Sequence, residues 1–493
     1  MAKKIKVKCV ALILSTTSLV IFFLIKKHYI ELADTMDSWL IWKGLIFYKD
    51  FDSFHLPLGK IILQPLHILS NWDFRLDPLL GLALGIATLA TIYLIGNYKK
   101  RLISTSVSLL FFSIFYWYTG TGIEYFHEQL TGLLLAVSIL FLLKYFESKN
   151  SPKSNTASFI LGILIGLTLL AGQVVSLTLG AIVVLFMLYS PSAKTKDKFK
   201  NLFLLFLGAA IPFLITSIYF VQKNAFQDFF YKNFTYYLFR YLKYGRSPIS
   251  SLPEFLMPFY LPLLILIIEI TNNVIRKQKL IKFDIMFLIL CLSTIPFGIF
   301  SVFHPHHLTY ALPVLALSAG YIFANLWKRG HVQKVFIVIA SLTFLLTTLL
   351  WVIPWYFFNL KVATDWTIAN ANTPPNTNGT YETVAWIQKN TLPTTRILVI
   401  GNPFFYILSD RLPSIVSGSN MEYVWQNNID NIKKQVSQSQ PEYWILSDSY
   451  IRRLIKNYDF HAEMDFINEE LKSHYTLKEQ FIEWQIWQRD KSR

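Results

Sequence analysis

The chain has 493 residues, of which 53% are hydrophobic and only 15% are charged. This much polar side chain cannot cover the surface of a water-soluble globule of that length, so lipid must surround much of the chain. The formal net charge of +16 lies mostly in short loops between apolar stretches, which indicates membrane topology and argues against a nucleic-acid-binding surface.

Apolar stretches long enough to cross a bilayer as helices recur through the first 357 residues. We predict eleven spans, at residues 8–25, 78–96, 102–119, 129–146, 157–171, 174–190, 201–221, 255–275, 283–300, 308–326 and 333–357. Alternate loops carry the Lys and Arg residues, which places those loops and the N-terminus in the cytoplasm. An odd number of crossings then puts the C-terminal end of the chain outside.

Residues 28–77 form a long first outer loop in this topology. Its apolar segment 56–72 contains Pro57, Lys60 and His67, which are costly in hydrocarbon. Counting that segment as a span would also invert the charge bias of every later loop. We therefore predict a re-entrant or interfacial helix there, preceded at 36–48 by a helix in the headgroup plane.

The outer loop at 222–254 departs from the charge rule, because it holds several cations among many aromatic residues. These cations are Lys223, Lys232, Arg240, Lys243 and Arg246. An anionic lipid headgroup would explain them, since Arg and Lys donors match phosphate oxygens. An aromatic belt with snorkelling basic side chains explains them equally well. Asn233-Phe-Thr in this loop also matches the N-glycosylation pattern, which is weak evidence on its own.

The composition changes at residue 359 to Asn, Thr, Pro and Gly, and helices then alternate with short apolar strands. We predict these strands at 396–400, 443–446 and 481–487. The alternation indicates a small α/β domain at 359–493 with a mostly parallel sheet. It contains no nucleotide-binding or nucleophile-elbow motif, so we expect acceptor binding or scaffolding from this domain.

Ionisable residues gather at four places, all on the outer side in the predicted topology. They are 33–38 with Asp34 and Asp37, 48–59 with Asp50 and His55, 124–129 with Glu128, and 304–307 with His306 and His307. Each has a structural explanation alone, such as a helix cap or a turn-fixing Asx bond. Together they suit transfer from an anionic lipid, with a carboxylate activating the nucleophile and cations or a metal stabilising the departing phosphate.

The order of several loop residues resembles GT-C membrane glycosyltransferases, closest to the protein O-mannosyltransferase and aminoarabinose transferase branch. The resemblance lies in Asp34, Gly44, Tyr48-x-Asp50-Phe51, His55-x-Pro57-Leu58, His306-His307-Leu-Thr-Tyr-Ala-Leu-Pro313 and Asp410-Arg411-Leu412-Pro413. It implies a polytopic α-helical membrane protein with about 11 transmembrane helices at 1–358 and a C-terminal extracytoplasmic α/β domain at 359–493.

The same resemblance implies that the protein is a glycosyltransferase of the cell envelope. The expected activity is inverting transfer of a hexosyl or pentosyl unit from a polyprenyl-phosphate donor to a glycan, lipid or protein acceptor. The reaction would occur at the outer face of the plasma membrane, with membrane lipids and no nucleic acid among its partners.

The resemblance and the chemistry of the outer-loop side chains together assign expected roles to individual residues. Asp34 would activate the acceptor, with Asp37 as the alternative, and Glu128 would be the second acidic residue. The residues expected to bind the donor phosphate are His55, Arg240, Lys243, Arg246, His306 and His307. A divalent metal ion is left open, with Asp34 and Glu128 as its candidate ligands.

Two other functions fit a polytopic chain. A transporter or flippase would line a path through the bilayer with charges, whereas the predicted spans hold few ionisable residues near their middle and show no inverted repeat. A polymerase or ligase of lipid-linked glycans shares the compartment, and its donor would carry a diphosphate-linked oligosaccharide. The sequence leaves this last alternative open.

Overall fold

A computed structural model gives the fold. It describes residues 2–26, 33–51, 53, 56–73, 76–98, 102–118, 126–146, 154–172, 179–181, 183–185, 195–235, 309–327, 379–401, 403–416, 429–458 and 460–490. The chain divides into two compact units that interleave along the sequence. Unit 1 comprises Met1–Glu31, His55–Tyr219 and Thr235–Thr367, and unit 2 comprises Leu32–Phe54, Phe220–Phe234 and Ile368–Arg493. The predicted domain boundary at 358 lies outside the described residues and stays a prediction.

The described residues up to Trp327 are largely helical. In chain order the helices are α1 (Ala2–Lys26), α2 (Ala33–Trp42), α3 (Leu58–Leu69), α4 (Leu76–Tyr98), α5 (Leu102–Tyr118), α6 (Phe126–Phe146), α7 (Ser154–Gly172), α8 (Thr195–Gln222), α9 (Phe226–Phe230) and α10 (Leu312–Trp327).

Several of these helices match the predicted spans. Those long and apolar enough to cross a bilayer, among the described residues, are Leu76–Asn97, Phe126–Leu143, Asn155–Gly172 and Lys196–Gln222. Shorter apolar stretches at Cys9–Ile21, Ser104–Tyr116 and Leu312–Tyr321 fall on three more predicted spans. The spans predicted at 255–275, 283–300 and 333–357, and most of 174–190, lie outside the described residues, so the number eleven stays a prediction.

The helices of unit 1 share one apolar core. Helix α10 packs against α5, α6 packs against α4 and α7, and α1 packs against α4 and α5. Leu89, Phe112, Leu135 and Leu315 are buried in this core. The helices are also apolar on their outer sides, as lipid-facing surfaces are.

Helices α7 and α8 approach each other closely through glycines. A Cβ atom at Gly162 would collide with the Leu205 carbonyl oxygen, and one at Gly208 would collide with the Phe159 carbonyl oxygen. Small residues at helix crossings let two backbones touch in this way, and van der Waals packing then holds the helices together in lipid.

We expect Gly162→Ala to separate α7 from α8. The added methyl group has no room beside Leu205, so the variant should lose about 1–3 kcal/mol of stability, as overpacked cores do. Thermal unfolding in detergent micelles would measure this loss. Gly180→Ala is the matched control, because a Cβ there would lie 3.7 Å from Ile165, in ordinary contact. Equal unfolding temperatures for the two variants would contradict the expectation.

Segment 56–72 contains α3, which has 12 residues. At about 1.5 Å per residue it is roughly 18 Å long, too short to cross about 30 Å of hydrocarbon. It packs against α6 and α7 and buries Gly59, Lys60, Leu63 and His67. The helix therefore suits the predicted re-entrant or interfacial placement, whose depth in the membrane stays a prediction.

The C-terminal part of unit 2 mixes helices and strands. In chain order its elements are α11 (Thr380–Asn390), β1 (Ile397–Ile400), α12 (Phe405–Ser409), α13 (Ile429–Ser439), β2 (Tyr443–Ser447), α14 (Asp448–Tyr458), α15 (His461–His474), β3 (Tyr475–Phe481) and β4 (Trp484–Arg489). The sheet order is β1-β2-β4-β3. Strands β1 and β2 are buried along their whole length, which explains their continuous apolar sequence.

The sheet is mixed, and the predicted mostly parallel arrangement is wrong. Only β1 and β2 pair in parallel among the described strands, whereas β4 runs antiparallel to both β2 and β3. The strand predicted at 481–487 contains the turn of the β3–β4 hairpin, where Ile482 has φ +39°. Neither Ile482 nor Glu483 is a residue that usually marks a turn, so the turn could not be recognised from the sequence.

Candidate functional site

Helix α2 carries the two acidic residues of the predicted first outer loop. Every residue from Asp34 to Leu40 is buried, so protein surrounds the helix. The predicted placement of segment 36–48 in the headgroup plane stays a prediction.

The end of α2 is formed by Gly44. The Gly44 N–H donates to the Ile41 carbonyl at 3.0 Å and the Leu45 N–H donates to the Leu40 carbonyl at 3.1 Å, which is the Schellman pattern. Gly44 has φ +88°, and nothing lies within 4 Å of where its Cβ would be. Backbone conformation alone therefore requires glycine at this position of the sequence pattern.

Asp37 and Asp34 on α2 are both buried, and each accepts a hydrogen bond from a serine hydroxyl. The Asp37 side chain is 8% exposed, and its Oδ2 accepts a hydrogen bond from Ser53 Oγ at 2.7 Å. Asp34 is 2% exposed, and its backbone carbonyl accepts a hydrogen bond from Ser38 Oγ at 2.8 Å. The Ser53 hydroxyl thus links the chain that follows the turn after α2 to the acidic helix, and it orients the Asp37 carboxylate.

Asp50 has a structural role. Its Oδ2 accepts the Ile46 N–H at 2.7 Å, and its own N–H donates to the Ile46 carbonyl at 2.8 Å. These bonds close the turn between α2 and Ser53. The explanation of Asp50 as a turn-fixing residue is therefore correct.

Tyr48 occupies the centre of this turn. It has φ +68°, a strained conformation for a non-glycine residue, and its ring packs on Phe220 and Phe229 at 5.3 and 5.6 Å between centroids. Its hydroxyl donates to Asn233 Oδ1 at 3.4 Å. Burial raises the pKa of the Tyr48 phenol well above its ordinary value, and the nearby Asp37 charge raises it further, so the phenol stays neutral.

Asn233 is part of this buried network. Its side chain is 2% exposed, and its Nδ2 donates to the Phe229 carbonyl at 2.8 Å. An acceptor for N-glycosylation must be accessible, so the match at Asn233-Phe-Thr is coincidental in this fold.

A second polar cluster lies in unit 1, at the first turns of α3 and α6. Lys60 on α3 is fully buried, and His127, Glu128 and Gln129 on α6 are each 3% exposed. His127 Nε2 lies 4.0 Å from Glu128 Oε1. A Cβ at Gly59 would lie 3.0 Å from the His127 Cβ, so the two first turns are in contact. A lysine, a histidine and a glutamate are thus buried in one neighbourhood.

The chain that leads into α10 reaches the same face of α6. A Cβ at Gly132 would lie 3.3 Å from the Thr309 carbonyl oxygen and 3.5 Å from the Tyr310 Cα. Gly132 is four residues, about one turn, after Glu128. Thr309 follows the predicted histidine pair by two positions.

The predicted site residues divide between the units and the undescribed segments. Asp34 and Asp37 lie in unit 2, and Glu128 lies in unit 1. The other predicted residues, His55, Arg240, Lys243, Arg246, His306 and His307, lie outside the described residues. Their roles stay predictions, as do the catalytic roles of the three carboxylates.

A metal site is not evident in the described part of the chain. No group of three or more His, Cys, Asp or Glu there could hold a metal ion. The assignment of Asp34 and Glu128 as metal ligands stays a prediction, and no catalytic step below depends on it.

Two residues of the clusters were not assigned a role from sequence. In the sequence, Lys60 served only as an argument against a membrane span at 56–72. A lysine in a 12-residue apolar helix is, however, itself a sign of function. Ser53 gives no such sign, because its contact with Asp37 depends on how the loop folds back.

Comparison with known proteins identifies the fold. No family model and no curated protein matches the sequence. Among solved structures, ArnT from Cupriavidus metallidurans bound to undecaprenyl phosphate matches with a TM-score of 0.59 and 11% identity, over 97% of this chain and 97% of that one.

Archaeal oligosaccharyltransferase AglB from Archaeoglobus fulgidus, in complex with an inhibitory peptide and a dolichol-phosphate, matches with a TM-score of 0.53 and 11% identity. This match covers 97% of this chain and 74% of the AglB chain. The A. fulgidus oligosaccharyltransferase tethered to an acceptor peptide with the NVT sequon matches with a TM-score of 0.51 and 11% identity, over 96% and 72%. ArnT and AglB are GT-C superfamily glycosyltransferases, and this chain has the fold that they share.

Proposed function

We propose that the chain is a membrane glycosyltransferase that moves a sugar from a polyprenyl-phosphate carrier to an acceptor hydroxyl. The main support is the match to ArnT over 97% of both chains, because the ArnT structure holds a polyprenyl phosphate. One fold can support several functions, so the chain must also supply the chemistry. We assign this chemistry to its two buried polar clusters.

The acidic helix α2 would provide the general base. Asp34 is our candidate, because the resemblance places the catalytic carboxylate at this position after the first helix, and Asp37 is the alternative. The Asp37 carboxylate accepts the Ser53 hydroxyl and lies near the neutral Tyr48 phenol. In this assignment Asp37 shapes the site, and Asp34 takes the proton of the acceptor hydroxyl. A positioned base of this kind contributes about 10²–10⁴-fold to a rate.

The cluster of unit 1 would meet the donor phosphate. The Lys60 side chain is buried away from solvent, and a buried cation attracts an anion far more strongly than an exposed one does. Glu128 and His127 lie at the α6 end of the same neighbourhood, where they would orient the Lys60 ammonium. The predicted phosphate ligands His55, His306 and His307 remain part of this proposal.

The reaction would be a single displacement. The acceptor oxygen attacks the anomeric carbon as its proton passes to the Asp34 carboxylate, and the bond between that carbon and the phosphate oxygen breaks. The electron pair leaves with the polyprenyl phosphate, which takes up the negative charge. Attack opposite the leaving group inverts the anomeric configuration, as the resemblance implies.

The location follows from the predicted topology. The site would lie at the outer face of the plasma membrane, with the C-terminal α/β part of unit 2 outside the cell. Glycan, lipid and protein acceptors all carry the hydroxyl that the mechanism needs. The donor would carry a hexose or pentose.

An oligosaccharide donor is the second candidate, because AglB shares the fold. The match covers only 74% of AglB but 97% of ArnT, which favours the smaller transferase. A flippase has no such support among the matched structures named above.

The test is a transfer assay with the full chain in liposomes. Synthetic polyprenyl-phosphate hexose and pentose donors, radiolabelled in the sugar, are incubated with extracts of envelope acceptors. We expect release of unlabelled polyprenyl phosphate in step with labelling of an acceptor, and mass spectrometry of copurifying lipid should detect the carrier. Movement of intact donor between leaflets without bond cleavage would instead identify a flippase.

A further inference from the structure

Lys43 directly follows the last residue of the acidic helix α2 and forms an ion pair with Asp410, which is distant in the sequence. Its Nζ lies 2.6 Å from Asp410 Oδ1, inside unit 2. The same Nζ lies 4.7 Å from the Trp42 ring centroid and 5.4 Å from that of Trp39, within range of cation–π attraction. The ammonium is therefore held by one carboxylate and by two rings of α2 itself.

Asp410 is presented by a rigid turn. It has φ +52°, a left-handed conformation that Asp and Asn tolerate better than most residues, and its N–H donates to the Ile407 carbonyl at 3.1 Å. The next residue, Arg411, is buried and donates to the carbonyls of Thr391 and Ser409 at 2.9 and 3.0 Å. The Asp410 carboxylate thus projects from a turn whose backbone cannot easily shift.

The pair contributes to position more than to stability. The side chains of Lys43 and Asp410 are 26% and 54% exposed, and exposed ion pairs add little to the stability of a fold. Lys43 lies six residues after Asp37, about 9 Å along the helix axis. A small movement at this end of α2 therefore reaches Asp37 and Asp34 with little attenuation, since a helix moves as a rigid rod.

We infer that Lys43 and Asp410 are a positioning pair, which holds α2 against the turn after α12 and so sets the carboxylates of that helix for catalysis. The catalytic part of this inference rests on the proposed function, whereas the holding of α2 does not. Neither residue contacts the reacting atoms in this assignment. Both act through the helix.

The test compares Asp410→Asn, Lys43→Glu and the charge-exchanged double variant Lys43→Glu with Asp410→Lys. Asparagine keeps the size and the left-handed tolerance of Asp410 but removes its charge. We expect faster hydrogen exchange at the α2 amides and a kcat lower by about ten-fold, with the donor KM unchanged, because misplaced groups lose rate rather than donor affinity. Lys43→Glu should be worse than Asp410→Asn, and the double variant should recover kcat to within about three-fold of the wild-type value.

Asp465→Asn is the matched control, because Asp465 is an exposed carboxylate on α15. Unchanged α2 exchange in Asp410→Asn, or no recovery in the double variant, would overturn the inference, as would an equal effect of Asp465→Asn. The two hypotheses separate cleanly. If the wild-type chain transfers no sugar, the proposed function fails, while the exchange comparison still decides whether the pair holds α2.

Discussion

Asp34→Asn is expected to reduce sugar transfer by about 10³-fold or more while leaving the protein folded. The substitution keeps the shape of the side chain and removes the basic oxygen that would take the acceptor proton, and a general base contributes about 10²–10⁴-fold. Single-turnover transfer in liposomes would measure the rate of the chemical step. Thermal unfolding would confirm that the buried helix α2 is intact.

Asp37→Asn is the informative comparison for Asp34→Asn. An asparagine carbonyl still accepts the Ser53 hydroxyl that holds Asp37 at 2.7 Å, so the local geometry survives and we expect a loss of only about ten-fold. The reverse order of the two losses would assign the base to Asp37. Full activity in both variants would contradict a catalytic role for the acidic helix.

Lys60→Gln is expected to cost about 10²–10³-fold in kcat. Lys60 is fully buried, and one preorganised group that stabilises developing charge is worth about that much. The charge-retaining variant Lys60→Arg should keep part of the rate, because it still offers donors to phosphate oxygens. Initial rates over a range of donor concentrations would separate kcat from KM.

Lys49→Gln is the control for Lys60→Gln. Lys49 is exposed, so the change removes the same charge from a solvated position. We expect no more than a two-fold effect, since solvent screens an exposed charge. A wild-type rate for Lys60→Gln would rule out the proposed role of Lys60 at the donor phosphate.

The long apolar helices are well predicted from sequence. The spans at 78–96, 129–146 and 157–171 agree with α4, α6 and α7 to within three residues at each end, because a bilayer demands an uninterrupted apolar run. Helix α8 begins earlier than its predicted span at 201–221. Its first turns contain Lys196, Lys198 and Lys200, which favour helix but carry no hydropathy signal.

The sheet was harder to predict, because its topology depends on pairing. Apolar runs correctly marked β1 and β2, whose faces are both buried. The exposed strand β3 has polar residues on both faces, so neither alternation nor an apolar run reveals it. Without β3, the hairpin and its antiparallel pairing could not be inferred.

In the candidate site, too, some residues could be predicted from the sequence and others could not. Acidic residues next to apolar runs stand out in a sequence, which is why Asp34, Asp37 and Glu128 were predicted. The partners that orient the side chains of the first outer loop lie elsewhere, as Ser53 does for Asp37 and Asn233 for Tyr48. Hydroxyl and amide groups are common at surfaces, so only the fold distinguishes these partners from solvated residues.

The interleaving of unit 2 has a consequence for biosynthesis. Leu32–Phe54 leaves the ribosome well before Ile368–Arg493, which belongs to the same compact unit. The intervening helices are therefore synthesised before Asp410 can pair with Lys43 at the end of the acidic helix. Contacts that span so much of a chain form slowly, so removal or delayed folding of segment 368–493 should expose α2 to quality-control proteases even when the preceding helices have folded correctly.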